Sequence, residues 1–215
     1  MERVISGNEA VAYGAMLSRV QVIPAYPISP QTTIVEALSD LCASGLLKAD
    51  FVKVESEHSA MACCVGAASA GARTFTATSA QGLALMHEIL FIVAGMRLPI
   101  IMALANRALS APLSIWNDHS DVMASRDCGW IQIFTESGQD TFDQTICAFR
   151  IGEDRRVLMP VIVNLDGFTL SHVVEPMSLV DQELVDKFLP LYKPLHALHQ
   201  SPGGCPEGKA EDRGI

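Results

Sequence analysis

The chain has no surplus of basic residues: 15 Lys and Arg stand against 24 Asp and Glu, a formal net charge of −9 at pH 7. Nucleic acid and anionic membrane surfaces both draw basic patches, so neither is expected as a partner. No stretch approaches the roughly 18 consecutive apolar residues of a membrane span. The start, Met1-Glu2-Arg3-Val4-Ile5-Ser6-Gly7, lacks the apolar centre of a signal peptide. A soluble, cytoplasmic protein is the expectation. The cysteines, Cys42, Cys63, Cys64, Cys128, Cys147 and Cys205, show neither the CxxC pairs of zinc sites nor the runs of iron–sulfur ligation, and read as buried thiols in a reducing compartment. GxGxxG and GxxxxGK[ST] are missing, which leaves nucleotide binding of those kinds unsupported. His87-Glu88 has no second histidine of a zinc-protease helix, and no serine sits in a GxSxG elbow.

What is present suits one globular domain with a sizeable core: 215 residues, 49% hydrophobic and 18% charged. Helical and strand signals alternate along it. Residues 8–17 read as a capped helix, 20–26 as a buried strand, and Pro27-Ile28-Ser29-Pro30 as an irregular loop. A helix follows over 31–42, then a strand at 51–54, a small-residue helix after Glu57, a β-branched strand at 74–78 and a helix over 82–94. Residues 99–105 and 161–165 are apolar on both faces, as strands of a parallel sheet are. The pattern predicts an α/β fold: a parallel sheet with helices on both faces. Ligands in such sheets bind beyond the carboxyl ends of the strands. Four polar loops leave those ends: 26–32, 55–59, 79–82 and Asn106-Arg107 onward.

Glu57 stands out among them. It ends a strand and opens a helix, Met61-Ala62-Cys63-Cys64-Val65-Gly66-Ala67-Ala68, that holds no other carboxylate and is apolar on nearly every face. A helix of that kind is expected to be buried, and its small side chains admit a backbone or flat ring. The alternative reading is an acid that satisfies free amides and the helix dipole. Asp118-His119-Ser120-Asp121 has the residue types of a metal site, although helix-capping acids after Trp116-Asn117 account for the spacing.

Four blocks together carry a resemblance. Ala25-Tyr26-Pro27-Ile28-Ser29-Pro30-Gln31-Thr32, Glu55-Ser56-Glu57-His58-Ser59-Ala60, Thr74-Phe75-Thr76-Ala77-Thr78-Ser79-Ala80-Gln81-Gly82-Leu83 and Leu113-Ser114-Ile115-Trp116-Asn117-Asp118-His119-Ser120-Asp121 occur in that order. The chain resembles, from about residue 7 to about 195, the N-terminal domain of the alpha chain of pyruvate:ferredoxin oxidoreductase and related 2-oxoacid:ferredoxin oxidoreductases.

The resemblance implies a thiamine-diphosphate enzyme in which residues 1–195 form the pyrimidine-binding domain. A partner beta chain would supply the diphosphate and Mg²⁺ site. Gamma- and delta-type chains are further partners, iron–sulfur clusters sit on other chains or domains, and coenzyme A, a 2-oxoacid and ferredoxin are the reactants. By match to the family motif, Glu57 is the catalytic carboxylate: hydrogen bonded to the pyrimidine ring nitrogen, it favours the tautomer that removes the thiazolium proton. Tyr26, Pro27, Ile28, Gln81 and Gly82 would flank the cofactor, with Gly82 there for close approach. Ser29 matches a hydroxyl that contacts substrate, often Thr in pyruvate enzymes, and a turn hydroxyl is its alternative. Arg107 matches the arginine that binds the 2-oxoacid carboxylate, a task its planar fork suits, where an isolated arginine would be read as a surface ion pair.

The end of the chain departs from the family. Alpha chains normally continue into a second α/β domain, whereas residues 196–215 here are Pro- and Gly-rich, cannot build a core and are expected to be disordered. The glycine-flanked acidic motif of the diphosphate and Mg²⁺ domain is also absent from these residues. Two functions follow as expectations: a subunit active only with partner chains, with pyruvate ahead of branched-chain 2-oxoacids or 2-oxoglutarate, or a truncated, non-catalytic remnant that acts as an assembly module.

Overall fold

A computed structural model describes residues 2–195 and 197; the remainder of the Pro/Gly-rich segment read at 196–215 lies outside the described residues. In chain order the elements are β1 (Glu2–Ser6), α1 (Gly7–Leu17), β2 (Val22–Ala25), α2 (Thr32–Ala43), β3 (Asp50–Lys53), α3 (Glu57–Ser69), β4 (Phe75–Thr78), α4 (Ala80–Leu85), α5 (His87–Gly95), β5 (Ile101–Asn106), α6 (Ser120–Met123), β6 (Ile131–Phe134), α7 (Gly138–Gly152), β7 (Val161–Asp166), β8 (Val174–Ser178) and α8 (Gln182–Phe188). Four strands pair in parallel in the order β4-β5-β7-β6, with Ala103 opposite both Ala77 and Val163. Strands β2 and β3 form a second parallel pair.

Among the described residues one bridge, Val22 to Thr74, joins the two groups, and Pro24 explains why the pairing goes no further there. Val22 turns its N–H toward the Arg73 carbonyl at 3.3 Å. Two residues on, the same edge needs a donor that proline lacks. Thr76 substitutes a side-chain bond, its Oγ1 donating to the Pro24 carbonyl at 2.8 Å.

The strands alternate their side chains between two cores. Phe75, Ile101, Ala103, Ala105, Val161, Val163 and Leu165 pack with Val11 and Ala15 of α1, Ile34 and Leu38 of α2, and Phe142 and Phe149 of α7. Met102, Leu104 and Ile162 face the other way, onto Met61 and Cys64 of α3, Leu83 of α4 and Leu90 and Val93 of α5. The expected parallel sheet with helices on both faces is therefore the observed architecture.

Some local expectations change. The helix read over 82–94 is two helices, because Met86 leaves helical dihedrals (φ −91°, ψ 5°) while its side chain is wholly buried. Helix α3 is not buried all round: Ala62 and Gly66 are exposed, and a Cβ on Gly66 would meet open space. Strands β1 and β8, paired antiparallel outside the main sheet, carried no readable alternation.

Arg73, immediately before β4, fastens the amino-end side of the sheet. Its guanidinium is 2% exposed and makes a two-pronged bond to Glu153 at 2.6 and 2.7 Å. It also donates to the carbonyls of Ser18 and Pro190, so one cation ties the ends of α1, α7 and the segment after α8. Burial pushes the Glu153 carboxyl up, against the downward pull of Arg73. Removing one partner leaves a buried charge unpaired, which costs about 3–5 kcal/mol. Glu153→Ala should lower the denaturant midpoint of the chain accordingly with its slope unchanged; a midpoint within error of the parent would show that the ion pair does not hold the fold.

Candidate functional site

The site forms where the carboxyl ends of β2, β3, β4 and β5 release their loops. At the mouth of α3, Ser56 adopts extended dihedrals (φ −162°, ψ 163°) and its hydroxyl accepts the N–H of Ser59 at 3.1 Å. Ser56 is thus the helix cap, and the next residue is left free of that task. Glu57 is only 7% exposed, and no described group donates a hydrogen bond to its carboxylate. The side chain is covered while its carboxylate oxygens keep contact with solvent, so a donor from outside the domain can reach them. Glu55 is exposed and accepts a bond from the Ser59 hydroxyl at 2.8 Å, which lowers its pKa. The two acids therefore occupy different surroundings despite their spacing.

Gly82 of α4 closes against Glu57. A Cβ on Gly82 would overlap the Thr78 hydroxyl and lie 2.7 Å from Glu57 Cγ and 2.8 Å from its Oε1. The Thr78 hydroxyl, fully buried beside that carboxylate, has no partner. An unpaired carboxylate, an unpaired hydroxyl and a helix backbone bare of side chain meet at one point, and a flat heterocycle with donor and acceptor edges fits that chemistry. Sequence reasoning missed Thr78, since a threonine in a β-branched strand carries no signal of a second duty.

Arg107 gathers the other loops. It follows β5, is 7% exposed, and donates from Nη1 to the Ser29 carbonyl at 2.7 Å and from Nη2 to Gln81 Oε1. Its Nε is buried without a partner. Ser29 meets Arg107 through its backbone, and its side chain is exposed. Gln81 also donates to the Ser110 hydroxyl at 2.9 Å. Gln31, fully buried, pins the Ser29 loop to β4 by donating to the Ala77 carbonyl at 2.6 Å. It was invisible in the sequence because a glutamine at a helix entry reads as solvated. Ile28 is half-buried and its N–H reaches Gln31 Oε1 at 3.4 Å. Tyr26 and Pro27 line a cavity of about 640 Å³ with Val35 of α2 and Phe51 and Lys53 of β3, whose lining includes none of Glu57, Gly82 and Arg107.

The residues of the 118–121 motif separate. Asp118 is exposed and caps the N–H of Ser120 at 2.5 Å, which lowers its pKa. His119 Nε2 lies 3.1 Å from Asp166, and Asp121 is buried among N–H donors. Beside the site an apolar face lies open: Leu85, Phe91, Ile92 and Met96 are exposed, adjoining the small residues of α3.

These features define a class: an α/β domain with a parallel sheet whose carboxyl-end loops present a buried, unpaired carboxylate and a partly satisfied arginine to a polar ligand. The chain belongs to the family of pyruvate flavodoxin/ferredoxin oxidoreductase, thiamine-diphosphate-binding domains, whose model matches residues 13–210. Pyruvate synthase subunit PorA of Methanocaldococcus jannaschii is 56% identical over 98% of this chain and 56% of its own length. PorA of Methanothermobacter thermautotrophicus is 59% identical over 89% of this chain and 50% of its own. Ketoisovalerate oxidoreductase subunit VorA of Pyrococcus furiosus is 50% identical over 92% and 50%. The chain thus spans about half the length of the curated relatives it matches. The 2-oxoglutarate:ferredoxin oxidoreductase of Magnetococcus marinus, solved with 2-oxoglutarate, coenzyme A and succinyl-CoA bound, has the same fold, with a TM-score of 0.77 at 24% identity over 91% of this chain and 33% of that one.

Gly82→Ala tests the niche. Overpacking of this kind costs about 1–3 kcal/mol, and the carboxylate rather than the backbone should yield. The expected outcome is a modest fall in melting temperature with a loss of at least about tenfold in thiamine diphosphate affinity of the assembled enzyme; unchanged affinity would show that Glu57 and Gly82 do not share the niche.

Proposed function

We propose that this chain is the pyrimidine-binding domain of the alpha subunit of a 2-oxoacid:ferredoxin oxidoreductase, acting with partner chains on pyruvate and coenzyme A to yield acetyl-CoA and CO₂ while reducing ferredoxin. The observation that carries the reading is Glu57, buried without a donor at the mouth of α3 and backed by Gly82. Family membership names thiamine diphosphate, whose pyrimidine ring nitrogen would share a proton with Glu57 and, when protonated, donate to its carboxylate. Pyruvate is favoured over branched-chain 2-oxoacids because the PorA relatives reach 59% identity and the VorA relatives 50%. Thiamine diphosphate, when bound, supplies the carbanion chemistry.

The chain's own residues orient and hold protons. Glu57 keeps a proton at the ring nitrogen, Thr78 offers a second polar contact, and Gly82 lets the ring approach the helix backbone. Ile28 and Gln81 would shape the walls, while Tyr26 and Pro27, which line a separate cavity with α2 and β3, would act there only by shaping the loop. Arg107, with its Nε unspent, presents a cation to the 2-oxoacid carboxylate, and Ser29 lies next to it. A beta chain would complete the diphosphate and Mg²⁺ site, iron–sulfur clusters on other chains or domains would carry electrons to ferredoxin, and the complex would work in the cytoplasm. The exposed face of α3 and α5 is where such a partner would cover the site.

Co-expression with a beta chain, followed by 2-oxoacid-dependent viologen reduction, tests the whole reading. Pyruvate should be used in preference to ketoisovalerate; preference for the branched acid would transfer the subunit to the other substrate class, and no turnover with any 2-oxoacid would leave an assembly module.

Glu57→Gln should leave stability within about 1 kcal/mol, since Ser56 and not Glu57 caps the helix. It should slow turnover by about a hundredfold or more, the scale of lost acid–base assistance. Glu55→Gln, on the exposed side, should do neither. If the Glu57→Gln enzyme exchanges the thiazolium proton as fast as the parent, the cofactor role of Glu57 is wrong.

Arg107→Lys keeps the charge and loses the fork. Losing a hydrogen bond to a charged group costs about 1.5–3 kcal/mol, and the loss should appear in kcat/KM for the 2-oxoacid while cofactor affinity holds. An unchanged kcat/KM would remove Arg107 from the substrate site.

A further inference from the structure

Asp121 is 2% exposed, and four N–H groups converge on its carboxylate. Oδ1 accepts from Asn106 Nδ2 at 3.1 Å and from the N–H of Val122 at 2.7 Å. Oδ2 accepts from the N–H of Arg107 at 3.0 Å and from the N–H of Ala80 at 3.3 Å. Asn106 passes the connection on to Asn164 at 3.2 Å, and Asn164 to the Ile133 carbonyl at 3.0 Å. The carboxylate is thus linked to the ends of β4, β5, β7 and β6. Burial raises its pKa and the four donors lower it.

The arrangement accepts one chemical group only. Every atom facing the two oxygens is a donor, so an amide in place of the carboxylate would aim its own N–H at two others and leave a pair of buried donors unsatisfied. One oxygen, Oδ2, anchors both ends of a functional contact: Arg107 through its own N–H, and Gln81 through the N–H of the residue before it. Ala80 has φ +26°, a conformation alanine seldom adopts and one that surrounding contacts must hold in place.

We infer that Asp121 is a positioning residue for substrate binding: its buried carboxylate sets the backbone from which Arg107 and Gln81 project, and so fixes where the Arg107 guanidinium stands. This rests on the reading of Arg107 as the 2-oxoacid anchor. Nothing in the site requires Asp121 to touch substrate or cofactor, so its effect must travel through Arg107.

A double-mutant cycle in the assembled enzyme tests it. Misplacing a binding group by an ångström costs about a hundredfold, and Asp121→Asn should lower kcat/KM for pyruvate on that scale, chiefly through KM. In an Arg107→Lys background the same change should cost no more than about threefold further, because residues acting through one group are not additive. If the two losses multiply, or if Asp121→Asn matches the parent, the inference is overturned while the role of Arg107 stands. An unaltered Arg107→Lys enzyme overturns the reading of Arg107 and this inference with it. Amide hydrogen exchange supplies a readout that needs no variant to fold. In the parent complex the amides of Ala80 and Arg107 should exchange slowly although both flank loops, and in Asp121→Asn they should speed up while the β1–β8 amides do not. Fast exchange of either amide in the parent would overturn the inference.

Discussion

Burial of β5 on both faces is the constraint on which the rest of the domain depends. All six residues from Ile101 to Asn106 are inaccessible to solvent, Ile101, Ala103 and Ala105 facing one core and Met102 and Leu104 the other. A strand held this way cannot shift by one residue without exchanging its two sets of side chains between layers. Its partners β4 and β7 are pinned through the ladder, and the point at which the chain leaves as Asn106-Arg107 is pinned too. The functional loops inherit their accuracy from that apolar packing.

Polar groups then do what apolar packing cannot. The apolar residues of the carboxyl-end loops, such as Leu113, Ile115 and Trp116, are exposed, and the loops are tied to the sheet by a few buried charges and amides. Gln31 holds the Ser29 loop to β4, Arg107 holds it to Gln81, and Asp121 holds the backbone under both. At the opposite end of the sheet Arg73 performs the same task among α1, α7 and the segment after α8. Each charge is matched by several partners, which is the condition under which buried ions are tolerated. Unpartnered buried polar atoms also occur elsewhere, at Ser18, Thr74 and Asn106 among others; what distinguishes this end is that Thr78, Arg107 Nε and the Glu57 carboxylate lie together among the carboxyl-end loops.

The open face of α3 and α5 has a matching logic. Small residues on α3 and large exposed apolar ones on α5 make a surface that water covers poorly, next to a carboxylate that lacks a donor. An exposed apolar patch of this size marks a surface suited to a partner or ligand.

The sequence by itself determined the layers, because doubly apolar runs such as 161–165, alternating with helical periods, admit only a parallel sheet covered on both sides. Four motif blocks in order also pointed to the family and to Glu57 and Gly82, and the resemblance added Arg107 after the strand read over 99–105. Tertiary structure alone decided the rest. The Ser56 cap that frees Glu57 is a local bond to Ser59, but that Thr78 lies beside Glu57 and that Asp121 serves the Arg107 backbone depend on contacts between residues far apart in the chain. Hydrophobic period reports which face of an element is covered. It carries no information on which buried polar atom will find a partner across a loop, and that pairing is what turns these four strand ends into a site.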